Sequence, residues 1–152
     1  MLHKRALLPQ NRAGITYRMT VGRSPKHPNY VFGFSTKESV AAETYGDLQP
    51  RTLRSGGKEV TLVSFTVGYN TTKPPLWVLS LEVKDEVTGT VRVEYKDVVL
   101  EGALAYNDIY KGYYASFEYS EGNGNPAVVK MYEYLKGSVG QTIDITLIGG
   151  GK

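Results

Sequence analysis

The chain of 152 residues contains no cysteine and only two histidines, His3 and His27. The lack of cysteine excludes disulfide bonds, thiolate metal sites and cysteine nucleophiles. His27 has no neighbours at the spacing of a metal site, and neither histidine is placed to act as the base that serine catalysis needs. The sequence therefore predicts a protein that is not an enzyme, with no catalytic residues, no metal site and no cofactor.

The chain also lacks a long apolar run. A membrane-spanning helix needs about 18 or more consecutive apolar residues, and no stretch approaches that length. Residues 1–9 contain basic side chains but too short an apolar segment for a signal peptide. We therefore expect no membrane segment and no membrane partner.

Acidic residues are missing from residues 1–30, whereas the rest of the chain is close to neutral. Pro9 and Gly14 interrupt any helical period, so residues 1–18 are predicted to form an extended basic arm. Such an arm can dock on a partner, and a solvated tail is the alternative. The candidate partner-binding residues of the arm are Leu2, Lys4, Arg5, Leu7, Leu8 and Arg12.

Tyrosine and glycine, with 12 and 17 residues, are the abundant types. Tyrosine favours strands and glycine favours turns, so the composition indicates an all-β domain. The most apolar stretch, residues 76–83, holds the one tryptophan and is too short for a typical helix. It is predicted to be a strand whose core face carries Trp77, Leu79, Leu81 and Val83.

Short alternating segments separated by turn signals recur along the chain. They predict an antiparallel β-sandwich or partly open barrel of about eight strands over residues 19–148. At most one or two short helices are expected, at residues 37–44 and 127–136, and residues 127–136 also fit a strand. Residues 149–152 are predicted to be a flexible tail.

Tyrosines cluster near Asn107 and Asp108, which mark a loop. Tyrosine is favoured at interfaces because its ring buries a large area and keeps a polar tip. The candidate contact loop comprises Tyr106, Tyr110, Tyr113 and Tyr114. The alternative is a tyrosine-rich sheet whose rings cover the edge of the core. Several acids surround the cluster, which argues against a nucleic-acid partner.

From Phe32 onward, the chain resembles a small β module of bacteriophage tail fibres and other virion accessory proteins. The motifs that carry the resemblance are Phe-Gly-Phe at residues 32–34, Tyr-Gly-x-Leu-x-Pro at 45–50, Gly-Gly at 56–57, and strands at 76–83, 91–93 and 143–147. The chain departs from the module through an insertion at 37–44, a longer segment at 123–140 and the basic arm. These departures favour a separate subunit on a head, neck or tail surface over a repeat within a fibre.

The resemblance implies a non-enzymatic structural or accessory subunit of a phage virion, assembled in the cytoplasm of the host bacterium. Its expected partners are other virion proteins and further copies of itself, because virion positions are symmetric and repeated. A β-sandwich module that binds a carbohydrate or receptor on the host surface is the alternative. A hydrolase with paired acids, such as Asp85 and Glu86, is a weaker one.

Overall fold

The computed structural model describes residues 6–7, 14–24, 26–36, 51–55 and 60–149. Twelve strands and one helix lie in these ranges. They are β1 (Ala6–Leu7), β2 (Ile15–Thr20), β3 (Gly22–Arg23), β4 (Val31–Ser35), β5 (Arg51–Ser55), β6 (Leu62–Asn70), β7 (Leu76–Val83), β8 (Val87–Tyr95), β9 (Val98–Asn107), β10 (Gly112–Ser120), β11 (Asn123–Gly124), α1 (Ala127–Lys136) and β12 (Thr142–Gly149).

The strands form one sheet in the order β3-β4-β6-β7-β10-β9-β8-β12-β2-β5, with β1 beside β8 and β11 beside β10. The sheet is mostly antiparallel, strongly curled and open, like half of a barrel. β9 joins its two halves, because residues 98–104 pair with β8 while residues 105–107 pair with β10. The predicted all-β sandwich or partly open barrel is confirmed.

The core consists mainly of alternate strand residues on one face of the curl. As predicted, Leu79, Leu81 and Val83 of β7 are buried there. Trp77 packs against the same core from its edge and stays partly exposed. The alternation of Val91, Val93 and Tyr95 in β8 predicts that these residues face the core, and all three are buried.

Helix α1 packs on β4, β6, β7, β9 and β10. Its buried residues recur at helical spacing: Val128, Met131, Tyr132 and Leu135. The side-chain oxygen of Asn125 accepts a hydrogen bond from the Ala127 N–H at 3.0 Å, which satisfies one free donor of the first turn. The helical interpretation of residues 127–136 is therefore confirmed. The other candidate helix, at residues 37–44, lies outside the described residues.

Two domain boundaries differ from the sequence prediction. The predicted arm extends to residue 18, although the alternation of Ile15, Tyr17 and Met19 also predicts a strand there. The strand is present, because Ile15 and Tyr17 are buried in β2, which pairs with β5 and β12. The tail was predicted to begin at residue 149, but Gly149 pairs with Val91 and ends β12. At the second boundary, the pairing of β12 with β8 continues one residue past Ile148, the last large apolar residue of the strand.

Two local predictions in the sheet also need correction. Alternation with Phe65 and Val67 predicts that Val63 faces the core, but the register of β6 against β7 shifts between Leu62 and Ser64. This bulge leaves Val63 partly exposed and turns Leu62 inward. The residue types at positions 86–89 predict a turn, yet Val87 already belongs to β8.

Candidate functional site

The hairpin tip between β9 and β10, residues 108–111, presents apolar side chains to solvent. The side-chain oxygen of Asn107 accepts hydrogen bonds from the N–H groups of Ile109 and Tyr110, both at 2.9 Å. The N–H of Lys111 donates to the carbonyl oxygen of Asn107 at 2.8 Å. These bonds hold the turn while the Ile109 and Tyr110 side chains remain 81% and 67% exposed.

The four tyrosines of the predicted contact loop lie together but do not share one face. Tyr113 is only 7% exposed and belongs to the core, where its ring lies 5.2 Å from that of the partly buried Tyr106. Tyr114 points to the opposite face, and its ring centroid lies 5.8 Å from that of Tyr110. Tyr113 is therefore corrected from a contact residue to a core residue, because consecutive strand residues alternate between faces. Tyr110 and Tyr114 remain available for contact.

A pocket of about 540 Å³ adjoins the hairpin tip. Val63 and Val83 form part of its wall beside Tyr106 and Tyr113. The charged residues that line it carry both signs: Glu82, Lys84, Glu86 and Lys111. Sequence patterns alone indicate neither this pocket nor a contact role for Ile109, although an isoleucine inside a polar turn is itself a signal for contact.

A second aromatic group caps another part of the core. Tyr69, Trp77 and Tyr119 stand opposite one another on β6, β7 and β10. Their ring centroids lie 4.7 Å apart for Tyr69 and Trp77 and 6.0 Å apart for Trp77 and Tyr119. Tyr132 of α1 completes the group at 5.9 Å from Tyr69. Such cross-strand aromatic pairs stabilise a sheet, so we assign these rings to packing.

Of the predicted partner-binding residues of the arm, only Leu7 lies in the part of the chain that the structure describes. Leu7 lies in β1, whose backbone pairs in parallel with β8, with Leu7 opposite Thr88. At this point the arm therefore contacts its own domain. The remaining candidates lie outside the described residues: Leu2, Lys4, Arg5, Leu8 and Arg12.

A charged network connects α1 to the turn between β8 and β9. The ammonium of Lys130 donates to one carboxylate oxygen of Asp97 at 2.6 Å, and the Tyr134 hydroxyl donates to the other at 2.7 Å. These two hydrogen bonds, that of Lys130 first, lower the pKa of Asp97 to about 2. Lys130 and Asp97 are exposed, so the network is a surface clamp on the helix.

His27 lies at the surface, where its Nδ1 and the Tyr30 hydroxyl are 3.2 Å apart. In the described part of the chain, no three or more histidine, cysteine or acidic residues are grouped so that they could hold a metal ion. Over the same ranges, no helix is both long enough and apolar enough to cross a membrane.

Comparisons with family models, curated proteins and solved structures found no match. The resemblance to the phage module thus depends on its sequence motifs. Of these, Phe32 and Phe34 lie in β4 with both rings buried, and Gly33 between them has φ +147°. The motifs at residues 45–50 and 56–57 lie outside the described residues.

Proposed function

We propose that the chain is a non-enzymatic structural subunit of a bacteriophage particle that associates with further copies of itself through the hairpin tip. Other virion proteins are its remaining partners, and it assembles in the host bacterial cytoplasm. Two observations support this function. They are the module motifs in the sequence and the solvent-exposed Ile109 and Tyr110.

The exposed pair at the tip carries the proposal. Large apolar and aromatic side chains on a preformed loop are typical of interface anchors, because burying them costs little conformational entropy. Full burial of such a side chain contributes about 1.5–3 kcal/mol. The Asn107 hydrogen bonds hold the backbone of Ile109 and Tyr110 before any partner binds, so association costs little backbone entropy at the tip.

The pocket beside the tip supports a second copy as the partner. A two-fold interface uses the same patch on both subunits, so the patch must complement itself. Tip and pocket adjoin each other, which lets the tip of each copy enter the pocket of the other. Lys84, Glu86 and Lys111 line the pocket, so each copy offers both signs of charge to its neighbour.

Ile109→Asp tests the proposal, because it places a charge at the most exposed apolar position of the tip. Val139→Asp is the matched control, since Val139 is also an exposed apolar residue in a surface turn. We expect light scattering to give an oligomer for the wild-type protein and for Val139→Asp. Ile109→Asp should be a monomer with unchanged circular dichroism.

Two results would overturn self-association through the tip. One is a monomeric wild-type protein at about 100 μM, well above the micromolar dissociation constant of a weak interface. The other is an Ile109→Asp protein that keeps the wild-type mass.

A second candidate function is binding of a carbohydrate or receptor on the host surface. The adjacent rings of Tyr110 and Tyr114 favour it, because exposed aromatic rings can cover the apolar face of a sugar. Glycan-array binding by a monomeric wild-type protein, lost in Tyr110→Ser, would replace self-association by this function.

A further inference from the structure

A second, more polar hollow of about 680 Å³ lies where β2, β5 and β12 meet the turn after α1. Its charged lining residues are Arg18, Arg51, Lys96 and Asp144. Arg18 points away from the core, since its neighbours Tyr17 and Met19 are buried. The hollow is therefore on the outer face of the sheet and open to solvent.

Strand register brings two arginines to the same side of this hollow. Arg51 stands directly opposite Arg18 on the antiparallel pair β2 and β5. Directly opposite residues of an antiparallel pair lie on the same face, and like charges in such positions destabilise the pair. An anion bound between the two guanidinium groups would attract both of them and so offset their mutual repulsion.

Asp144 already neutralises one of the cations. The Arg18 side chain donates from Nε to Oδ1 of Asp144 at 2.9 Å and from Nη2 to Oδ2 at 3.2 Å. This bond lowers the pKa of Asp144, so its carboxylate is charged at neutral pH. Asp144 is the one carboxylate among the described residues that line the hollow.

Lys96 supplies the third cation. Its backbone has φ +52°, and its ammonium lies 4.9 Å from the ring centroid of Tyr134 and 5.6 Å from that of Tyr95. These rings hold the ammonium at the rim by cation–π attraction. The lining thus carries three cations and one carboxylate, a net charge of +2.

We propose that this hollow binds a terminal phosphate group. A phosphate monoester or free phosphate carries about two negative charges at neutral pH, which matches the net charge of the lining. Guanidinium groups bind phosphate through paired hydrogen bonds, and Arg51 offers such a fork beside Arg18. The side chain of Thr142 adds a hydroxyl group to the same lining, whereas the Ser138 hydroxyl donates to the carbonyl oxygen of Tyr134 at 2.8 Å.

Titration of the full-length protein with inorganic phosphate, followed by NMR at constant ionic strength, tests the site. A second titration with O-phosphoserine separates free phosphate from a monoester as the source. We expect Arg51→Gln to weaken binding about tenfold or more, since the loss of one charge-assisted hydrogen bond lowers affinity by at least about a factor of ten.

Arg92→Gln is the matched control, because it removes the same charge from an exposed arginine that pairs with Glu94 outside the hollow. Its affinity should stay within about twofold of wild type. Asp144→Asn should bind phosphate more tightly than wild type, because it frees the Arg18 guanidinium.

Three results would overturn the proposal. The first is equal weakening by Arg51→Gln and Arg92→Gln, which indicates attraction by net charge alone. The second is weaker binding by a folded Asp144→Asn protein. The third is no spectral change at about 10 mM phosphate, which is well above the dissociation constant of about 1 mM that is typical of a weak ligand.

Discussion

Replacement of Gly33 by alanine should test how closely β4 approaches β6. Gly33 has φ +147°, a conformation that residues with a side chain rarely adopt. A Cβ atom there would overlap the carbonyl oxygen of Phe65 and lie 2.9 Å from the Cα of Thr66. Both contacts are with backbone atoms, so no side-chain rotation can relieve them. The two strands would have to separate.

The size of the effect follows from two contributions. A residue with a side chain in a rarely populated backbone region costs about 1–3 kcal/mol. Separating β4 from β6 also loses ladder hydrogen bonds, at about 1 kcal/mol each. We expect Gly33→Ala to lower the free energy of unfolding by about 3–5 kcal/mol, a large part of the ~5–15 kcal/mol typical of a domain.

Gly122→Ala is the control that has the backbone strain of a positive φ without the close contact between strands. Gly122 also has a positive φ, +86°, but a Cβ atom there would meet nothing within 4 Å. Its strain of about 1–2 kcal/mol is partly offset by the lower entropy of the unfolded chain. In urea unfolding, the free energy of unfolding of Gly33→Ala should therefore be lower than that of Gly122→Ala by about 2 kcal/mol or more. Equal midpoints for the two variants would refute the close approach of the strands.

Two further predictions concern single contacts. Tyr17→Phe removes the buried hydrogen bond that the Tyr17 hydroxyl donates to the Val60 carbonyl at 2.6 Å, and should cost about 1–3 kcal/mol in urea unfolding; unchanged stability would contradict that bond. The pKa of Asp97, about 2, should rise in Lys130→Met when followed by NMR of its carboxyl carbon. Because folding lowers this pKa below its usual 3.8, the stabilisation is full above that value and is lost as the pH falls towards 2. A wild-type Asp97 that titrates near 3.8 would rule out the clamp.

The fold class could be predicted because its signal is local. Alternation in β8, β10 and β12 identifies the buried face within each strand, and Trp77 marks the central apolar strand. The helix could be identified from Val128, Met131 and Leu135, since these three side chains repeat with the helical period. Each of these predictions needs only neighbours within about ten residues of sequence.

The details that sequence could not predict depend on pairing between distant segments. The bulge at Val63 is set by the register of β6 against β7, which no pattern within β6 specifies. The same is true of the hollow, where Arg18, Arg51 and Asp144 meet only because β2 pairs with both β5 and β12. Arg18 and Asp144 are 126 residues apart in sequence.

The arrangement of the tyrosine cluster could be predicted from the sequence only in part. Tyr113 and Tyr114 are consecutive in β10, so they must point to opposite faces, and alternation alone requires that one of them leave the contact surface. Alternation does not say which one, because that depends on which face of β10 the core covers. The pairing of Tyr113 with Val83 and Tyr106 places it inward, and Tyr114 then joins Tyr110 outside. The sheet therefore divides a cluster of tyrosines along a hairpin between core and surface. Of the four tyrosines that are close in sequence, only about half can belong to a contact surface.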